Sequence, residues 1–234
     1  MKKLVGLVSL LLILTLIGLG FSKGSQMKDY SNIIVFGVFL LLIFSYLYFE
    51  KSSMGSKEIG IIATLSSLAA VARVPFAALP NVQPTTFLVA LSGYVFGPYE
   101  GFLVGATTAF ISNIFLGQGP WTPWQMLAWA LIGSFSGLLG LIKTRKGRTI
   151  SPEAFAILCF FYGFIFDWIM NLWHILGFIR PLTMKAILAA YATGLTLDIM
   201  HATGNFIFAI ILFEQLHKVL DRFKKRLLIT YIKD

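Results

Sequence analysis

Two of the most apolar stretches of this chain carry polar side chains at helical spacing. Asp167, Asn171 and His174 fall at i, i+4 and i+7, and Asp198, His201 and Asn205 at i, i+3 and i+7. Each set therefore lies along one face of a helix, and the two faces are able to meet. Carboxylates and imidazoles brought together in this way can pair, ligate a divalent ion or hold a polar ligand. Arg73 is a third charge in an apolar setting. A charge near the middle of a span costs roughly 2.5–3.5 kcal/mol on insertion scales, so Arg73, Asp167 and Asp198 are expected inside a bundle, paired or facing water. One reading is an ion pair of Arg73 with an aspartate, plus hydrogen bonds between helices through His201 and Asn205. The functional reading gives Asn171 and His174, nearer one helix end, to a ligand.

Two loop clusters supply the rest of the candidate chemistry. The first, 79–86, holds Pro80, Asn81, Gln83, Pro84, Thr85 and Thr86; the second, 117–125, holds Gln118, Pro120, Trp121, Thr122, Pro123, Trp124 and Gln125. A connection between packed helices needs only a few ordinary polar residues, so this density of turn formers and amides points to recognition of something at a membrane face. Trp121 and Trp124 suit either the headgroup interface or stacking on a planar ring. Asn81, Gln83, Asn113 and Gln125 can fix a ligand's orientation by hydrogen bonds. Both loops are expected to close over cargo.

The elements that must hold these groups follow from composition. The chain is 57% hydrophobic and 12% charged, with 22 phenylalanines in 234 residues and a mean hydropathy of +0.82, which defines an integral membrane protein. Apolar runs long enough for helical spans occur at 4–21, 33–49, 58–79, 124–142, 154–177 and 186–213. Two shorter runs, 85–96 and 100–115, are separated only by Gly97, Pro98 and Tyr99 and read as a tight helical hairpin. The expected fold is all-α: eight spans, divided into a two-helix extension at 1–56 and a six-helix core at 57–234, with the serine-bearing 51–57 segment as linker. A signal peptide is the alternative for 4–21; the length of the run and the lack of an A-x-A site favour a retained helix.

Positive charge sets the orientation. Lys2, Lys3, Lys51, Lys57, Lys143, Arg145, Lys146, Arg148, Lys218, Arg222, Lys224, Lys225, Arg226 and Lys233 fall on one side, and only Lys23, Lys28, Arg180 and Lys185 on the other. Both termini are therefore expected in the cytoplasm of a plasma-membrane protein, with the two clusters and the 178–185 loop together on the outer face. The net charge of +9 is topological; with no water-exposed domain to carry a basic stripe, nucleic acid is excluded as a partner. Cys159 is the one cysteine, so neither an internal disulfide nor a thiolate cluster is available. No P-loop sequence is present, and ATP-driven work needs a partner.

From about Lys57 onward the chain resembles the substrate-binding S component of energy-coupling factor (ECF) vitamin transporters. The residues that carry the likeness are Ala72-Arg73-Val74-Pro75, the Pro80–Thr86 loop, Ser92-Gly93-Tyr94-Val95-Phe96-Gly97-Pro98 continuing to Gly101-Phe102-Leu103-Val104-Gly105, and Gly119-Pro120-Trp121-Thr122-Pro123-Trp124-Gln125. Together they look most similar to cobalamin-type members. The resemblance implies a vitamin captured at the outer face, no cofactor and no enzymatic activity, and partnership with a membrane coupling (T) subunit and two ATPases. It also implies docking through small residues on the first core helix, for which Ala63 with Ser67 and Ser66 with Ala70 are the candidates, each pair one turn apart. Another vitamin such as riboflavin is an alternative cargo. A metal ion is a further one, but metal-specific members carry histidine after the initiating methionine, where this chain has Lys2, and no metal site is expected. An enzymatic alternative is a rhomboid-like serine protease, because Gly133-Ser134-Phe135-Ser136-Gly137 resembles the rhomboid motif and His201 offers a base. Ser134 stands where rhomboids have glycine, and the glycines read more simply as a packing face.

Overall fold

The computed structural model describes residues 27–50 and 55–233; the expected first span at 4–21 and most of the 51–57 linker lie outside the described residues. Seven helices follow in chain order: α1 (Met27–Glu50), α2 (Ser56–Arg73), α3 (Thr85–Phe96), α4 (Pro98–Leu116), α5 (Thr122–Arg145), α6 (Pro152–Phe178) and α7 (Met184–Lys233). A single 3-10 turn, Val74–Phe76, closes α2. Among the described residues there is no strand, and four segments are long and apolar enough to cross a membrane: Ser56–Phe76, Thr122–Arg145, Pro152–Phe178 and Met184–Arg226. The protein is an all-α membrane bundle. α1 and α3 contribute only the shorter apolar runs Phe36–Leu47 and Thr85–Phe96.

Two boundaries differ from the sequence reading. The 58–79 span ends early, because Pro75 offers no N–H to the helical ladder. The chain instead tightens, with Ala77 N–H donating to Val74 O at 3.1 Å. At the other end, the last helix runs through 50 residues, about 75 Å at 1.5 Å per residue. That is more than twice the hydrocarbon thickness, so the helix continues well beyond the expected 186–213 segment. Lys224 on this extension donates to Val95 O at the end of α3.

α3 is the shortest helix and the most enclosed. Its 12 residues extend only about 18 Å, yet every residue from Thr85 to Val95 is buried. A helix that is apolar on all sides is stable only inside protein or lipid, and here α2, α4, α5, α6 and α7 surround it. Gly97 ends it at φ 134, a conformation that only glycine adopts readily, and Pro98 opens α4 directly, completing the expected hairpin.

The hairpin packs on α5 backbone to backbone. A Cβ on Gly93 or Gly101 would run into Gly133 O, one on Gly133 into Gly101 O, and one on Gly140 into Tyr94 O. Glycine thus permits the close crossing of α3, α4 and α5. The 133–137 stretch is part of that crossing: Ser134 Oγ donates to Pro98 O at 3.0 Å, and Ser136 is fully buried. α1 lies against the same pair of helices, with Val38 and Leu42 packed with Ala106 and Ala130 and Tyr46 Oη 2.9 Å from Thr107 Oγ1.

Candidate functional site

The first loop turns at Asn81, whose φ of 56 lies in the left-handed region that asparagine tolerates better than most residues. The turn aims the amide back into the bundle. Asn81 Nδ2 donates to Asp167 Oδ1 on α6 at 3.0 Å and to Leu197 O on α7 at 3.1 Å. The loop is thereby latched to both helices, and the two expected polar stripes do face each other.

Below this latch a chain of buried hydrogen bonds crosses the core. Asp167 Oδ2 meets His201 Nδ1 at 2.9 Å, His201 Nε2 meets Thr86 Oγ1 at 3.0 Å, and Trp129 Nε1 donates to Thr86 Oγ1 at 2.9 Å. The Asp167 carboxylate accepts only, which places the His201 proton on Nδ1 and leaves Nε2 to accept from the Thr86 hydroxyl, whose oxygen also accepts from the indole. Asn205 supports the arrangement from the next turn, accepting from Phe87 N at 3.1 Å and donating to His201 O at 2.9 Å.

Beside the latch lies a cavity of about 420 Å³ lined by Pro80, Asn81, Asp167, Met170, Asn171, Trp173, His174, Gly194, Leu197 and Asp198. Gly194 keeps it open toward Asn171, since a Cβ there would come within 3.1 Å of that amide. Asp198 is 3% exposed and receives one long bond, from Asn171 Nδ2 at 3.5 Å. Among the described residues it forms no ion pair. A carboxylate in a span without a counter-charge is costly by roughly 2.5–3.5 kcal/mol. Trp173 meets Trp121 edge-on, with centroids 6.1 Å apart, and so brings the second loop to the rim. His174 is exposed there and stacks on Phe178 at 5.5 Å.

Arg73 does not pair with an aspartate. Its Nε donates to Gln83 Oε1 and its NH1 to Ser112 Oγ and Asn113 Oδ1, each at 2.8 Å. The expected ion pair fails because Arg73 ends α2 on the side of α4, whereas Asp167 and Asp198 belong to the α6–α7 side. The network continues through Asn113 Nδ2 to Gln125 Oε1 at 2.7 Å and Thr122 Oγ1 at 3.0 Å. Thr122 Oγ1 donates to Gln118 Oε1 at 2.9 Å, and Gln118 Nε2 to Phe110 O at 2.9 Å. Gln83, Asn113, Gln118 and Gln125 thus brace the second loop. Trp124, 2% exposed, sits in the core rather than at the headgroup interface, and Thr85 is fully buried. The structure therefore divides the expected site: Asn81, Asp167, Asn171, His174 and Asp198 line the cavity, and the others form a scaffold beside it.

The docking candidates divide as well. Ser66 and Ala70 are fully buried, with Thr108 Oγ1 donating to Ser66 O at 3.4 Å, whereas Ala63 and Ser67 face outward. Trp129, Ser112 and Trp173 are missing from the sequence reading, and Thr86 stands in its first loop cluster without being singled out for the site. Hydroxyls at a helix start resemble caps, and single aromatics in apolar runs resemble core. Among the described residues no three His, Cys, Asp or Glu side chains converge as a metal would require.

A helical membrane bundle with a ligand-sized cavity beside a latched loop fits a small-molecule binding subunit. The chain belongs to the family described as the ECF-type riboflavin transporter S component, whose model matches residues 55–218. Members of that family are substrate-binding subunits of transporters, not enzymes. The chain is 26% identical over 99 residues to a UPF0397 protein of Aliivibrio salmonicida and 27% identical over 99 residues to one of Vibrio atlanticus. Each alignment covers 40% of this chain and 54% of the relative, so the chain spans about half the length of these curated relatives. No solved structure matches it.

Proposed function

We propose that the chain captures a vitamin-sized heterocycle from outside the cell in the cavity between the first loop, α6 and α7. Both termini are cytoplasmic in this reading. A membrane coupling subunit and two ATPases then drive release inward, and the coupling subunit docks on the outward face of α2 around Ala63 and Ser67. The carrying observation is the cavity itself: about 420 Å³, with one acidic and one aromatic wall and a latched loop above it. That volume is at the lower end of the roughly 300–1,000 Å³ range of small-molecule sites. It favours cargo of about riboflavin's size, in keeping with the family description, over the corrin of cobalamin that the loop motifs resemble.

Equilibrium titration of the detergent-purified chain with cobalamin, cobinamide, riboflavin, thiamine, biotin and folate tests this reading. Sub-micromolar binding of one compound, weakened by Trp173→Ala, supports capture in this cavity. Failure of every compound to bind a folded sample overturns it.

A further inference from the structure

We propose that the cargo is a positively charged nitrogen heterocycle, and that Asp198 is the group that reads its charge. This rests on the capture reading of the cavity and adds the substrate class. The charges of the wall do not cancel. Asp167 has partners on both oxygens, Asn81 on one and His201 on the other. Asp198 is buried against the cavity with only the 3.5 Å contact from Asn171. No lysine or arginine lines the space; the basic side chain in the lining is His174, which stacks on Phe178 at the exposed rim, and Arg73 is engaged with Gln83, Ser112 and Asn113 beside α4. A buried carboxylate held by a single long hydrogen bond is unfavourable, and a cationic ligand would offset it.

Hydrogen-bond polarity agrees with charge. Asn81 and Asn171 both turn their amide donors onto protein acceptors, Asp167 with Leu197 O and Asp198 respectively. Asn81 spends both amide N–H groups in this way and Asn171 one of its two, while the Asp198 carboxylate adds acceptors only. A ligand that meets Asp198 must therefore bring a donor. Trp173 supplies the remaining wall, and an indole face attracts cations and flat rings alike. A neutral ring satisfies this wall in part, and a carboxylate-bearing ligand is repelled by it.

The test titrates the full detergent-purified chain calorimetrically with thiamine, whose thiazolium is a fixed cation, with an uncharged analogue bearing a neutral ring in its place, with riboflavin and with biotin. Thiamine is expected to bind at least about tenfold more tightly than its neutral analogue, and biotin least tightly. Asp198→Asn, which keeps the side-chain shape, is expected to weaken thiamine by about ten- to a hundredfold, the scale of a charge-assisted hydrogen bond, and so to erase its preference over the neutral analogue. The ranking on the unmutated chain needs no variant to fold. Equal affinity for thiamine and its neutral analogue, or riboflavin or biotin binding more tightly with no response to Asp198→Asn, overturns the charge assignment and leaves capture standing. Absence of binding by all four compounds, together with the rest of the vitamin panel, overturns both.

Discussion

The Thr86 hydroxyl gives the sharpest test of the buried relay. It is fully buried, accepts from Trp129 Nε1 at 2.9 Å and faces His201 Nε2 at 3.0 Å. Thr86→Val keeps the shape of the side chain and deletes only the oxygen. The indole N–H and the imidazole nitrogen are then buried without partners, at about 1–3 kcal/mol each, or roughly 2–6 kcal/mol together. For a chain of this size 1 kcal/mol corresponds to about 2–4 °C in Tm, so a loss of roughly 4–24 °C is expected. Thermal unfolding in detergent, followed by circular dichroism, reads it. Thr86→Ser restores the hydroxyl and loses a methyl, worth about 1 kcal/mol, and should lie within about 5 °C of the parent. A valine variant as stable as the parent, or a serine variant as unstable as the valine one, would refute the relay as a source of stability.

The other predictions address packing, loop and docking. Gly133→Ala places a Cβ against Gly101 and should cost about 1–3 kcal/mol, whereas Gly60→Ala, with nothing within 4 Å, should gain up to about 1 kcal/mol; equal melting of the two would contradict the close crossing. Asn81→Gly keeps the left-handed turn but removes the latch, so stopped-flow dissociation of cargo should quicken about tenfold, and an unchanged rate removes the loop from closure. Ala63→Phe on the outward face should abolish co-purification with the coupling subunit while cargo binding persists. Ser66→Phe, directed into the core, should lower folded yield instead, and identical behaviour of the pair would defeat the division of the α2 small residues.

The helices were largely legible because apolar run length is a one-dimensional signal, and Gly97-Pro98 marks its hairpin without help from neighbours. The stripes on α6 and α7 were legible too, since helical spacing alone places Asp167 with Asn171 and Asp198 with His201. Partner choice was not. Arg73 was matched to an aspartate by charge, but which side of the bundle α2 faces depends on the glycine crossing of α3, α4 and α5, and spacing within α2 does not encode that. Thr86 was missed for a related reason: a threonine in the first turn looks like a cap, whereas Pro84 is the N-cap residue and makes no side-chain cap bond. The second loop cluster reads as a binding surface because its residues are polar, yet Gln118 and Thr122 use that polarity on each other and Gln125 uses it on Asn113.

The short α3 is what creates the site. Asp167 precedes the end of α6 at Phe178 by eleven residues, about 17 Å along the helix, and Asn81 reaches it by a direct hydrogen bond. A helix of 12 residues cannot fill the thickness that α5 and α6 fill, so the loop that leads into it must descend into the bundle. Irregular backbone at membrane depth is tolerated only where protein buries it or where it lines a cavity. Both conditions meet here: Gln83 and Thr85 are buried, and Pro80 and Asn81 border the open space. Lengthening α3 by a turn would raise the loop and remove the latch, the roof of the cavity and the Thr86 contact together. The shortness of α3 and the position of the proposed binding site are therefore one structural feature, and the polar residues of the first loop follow from the depth at which that loop must run.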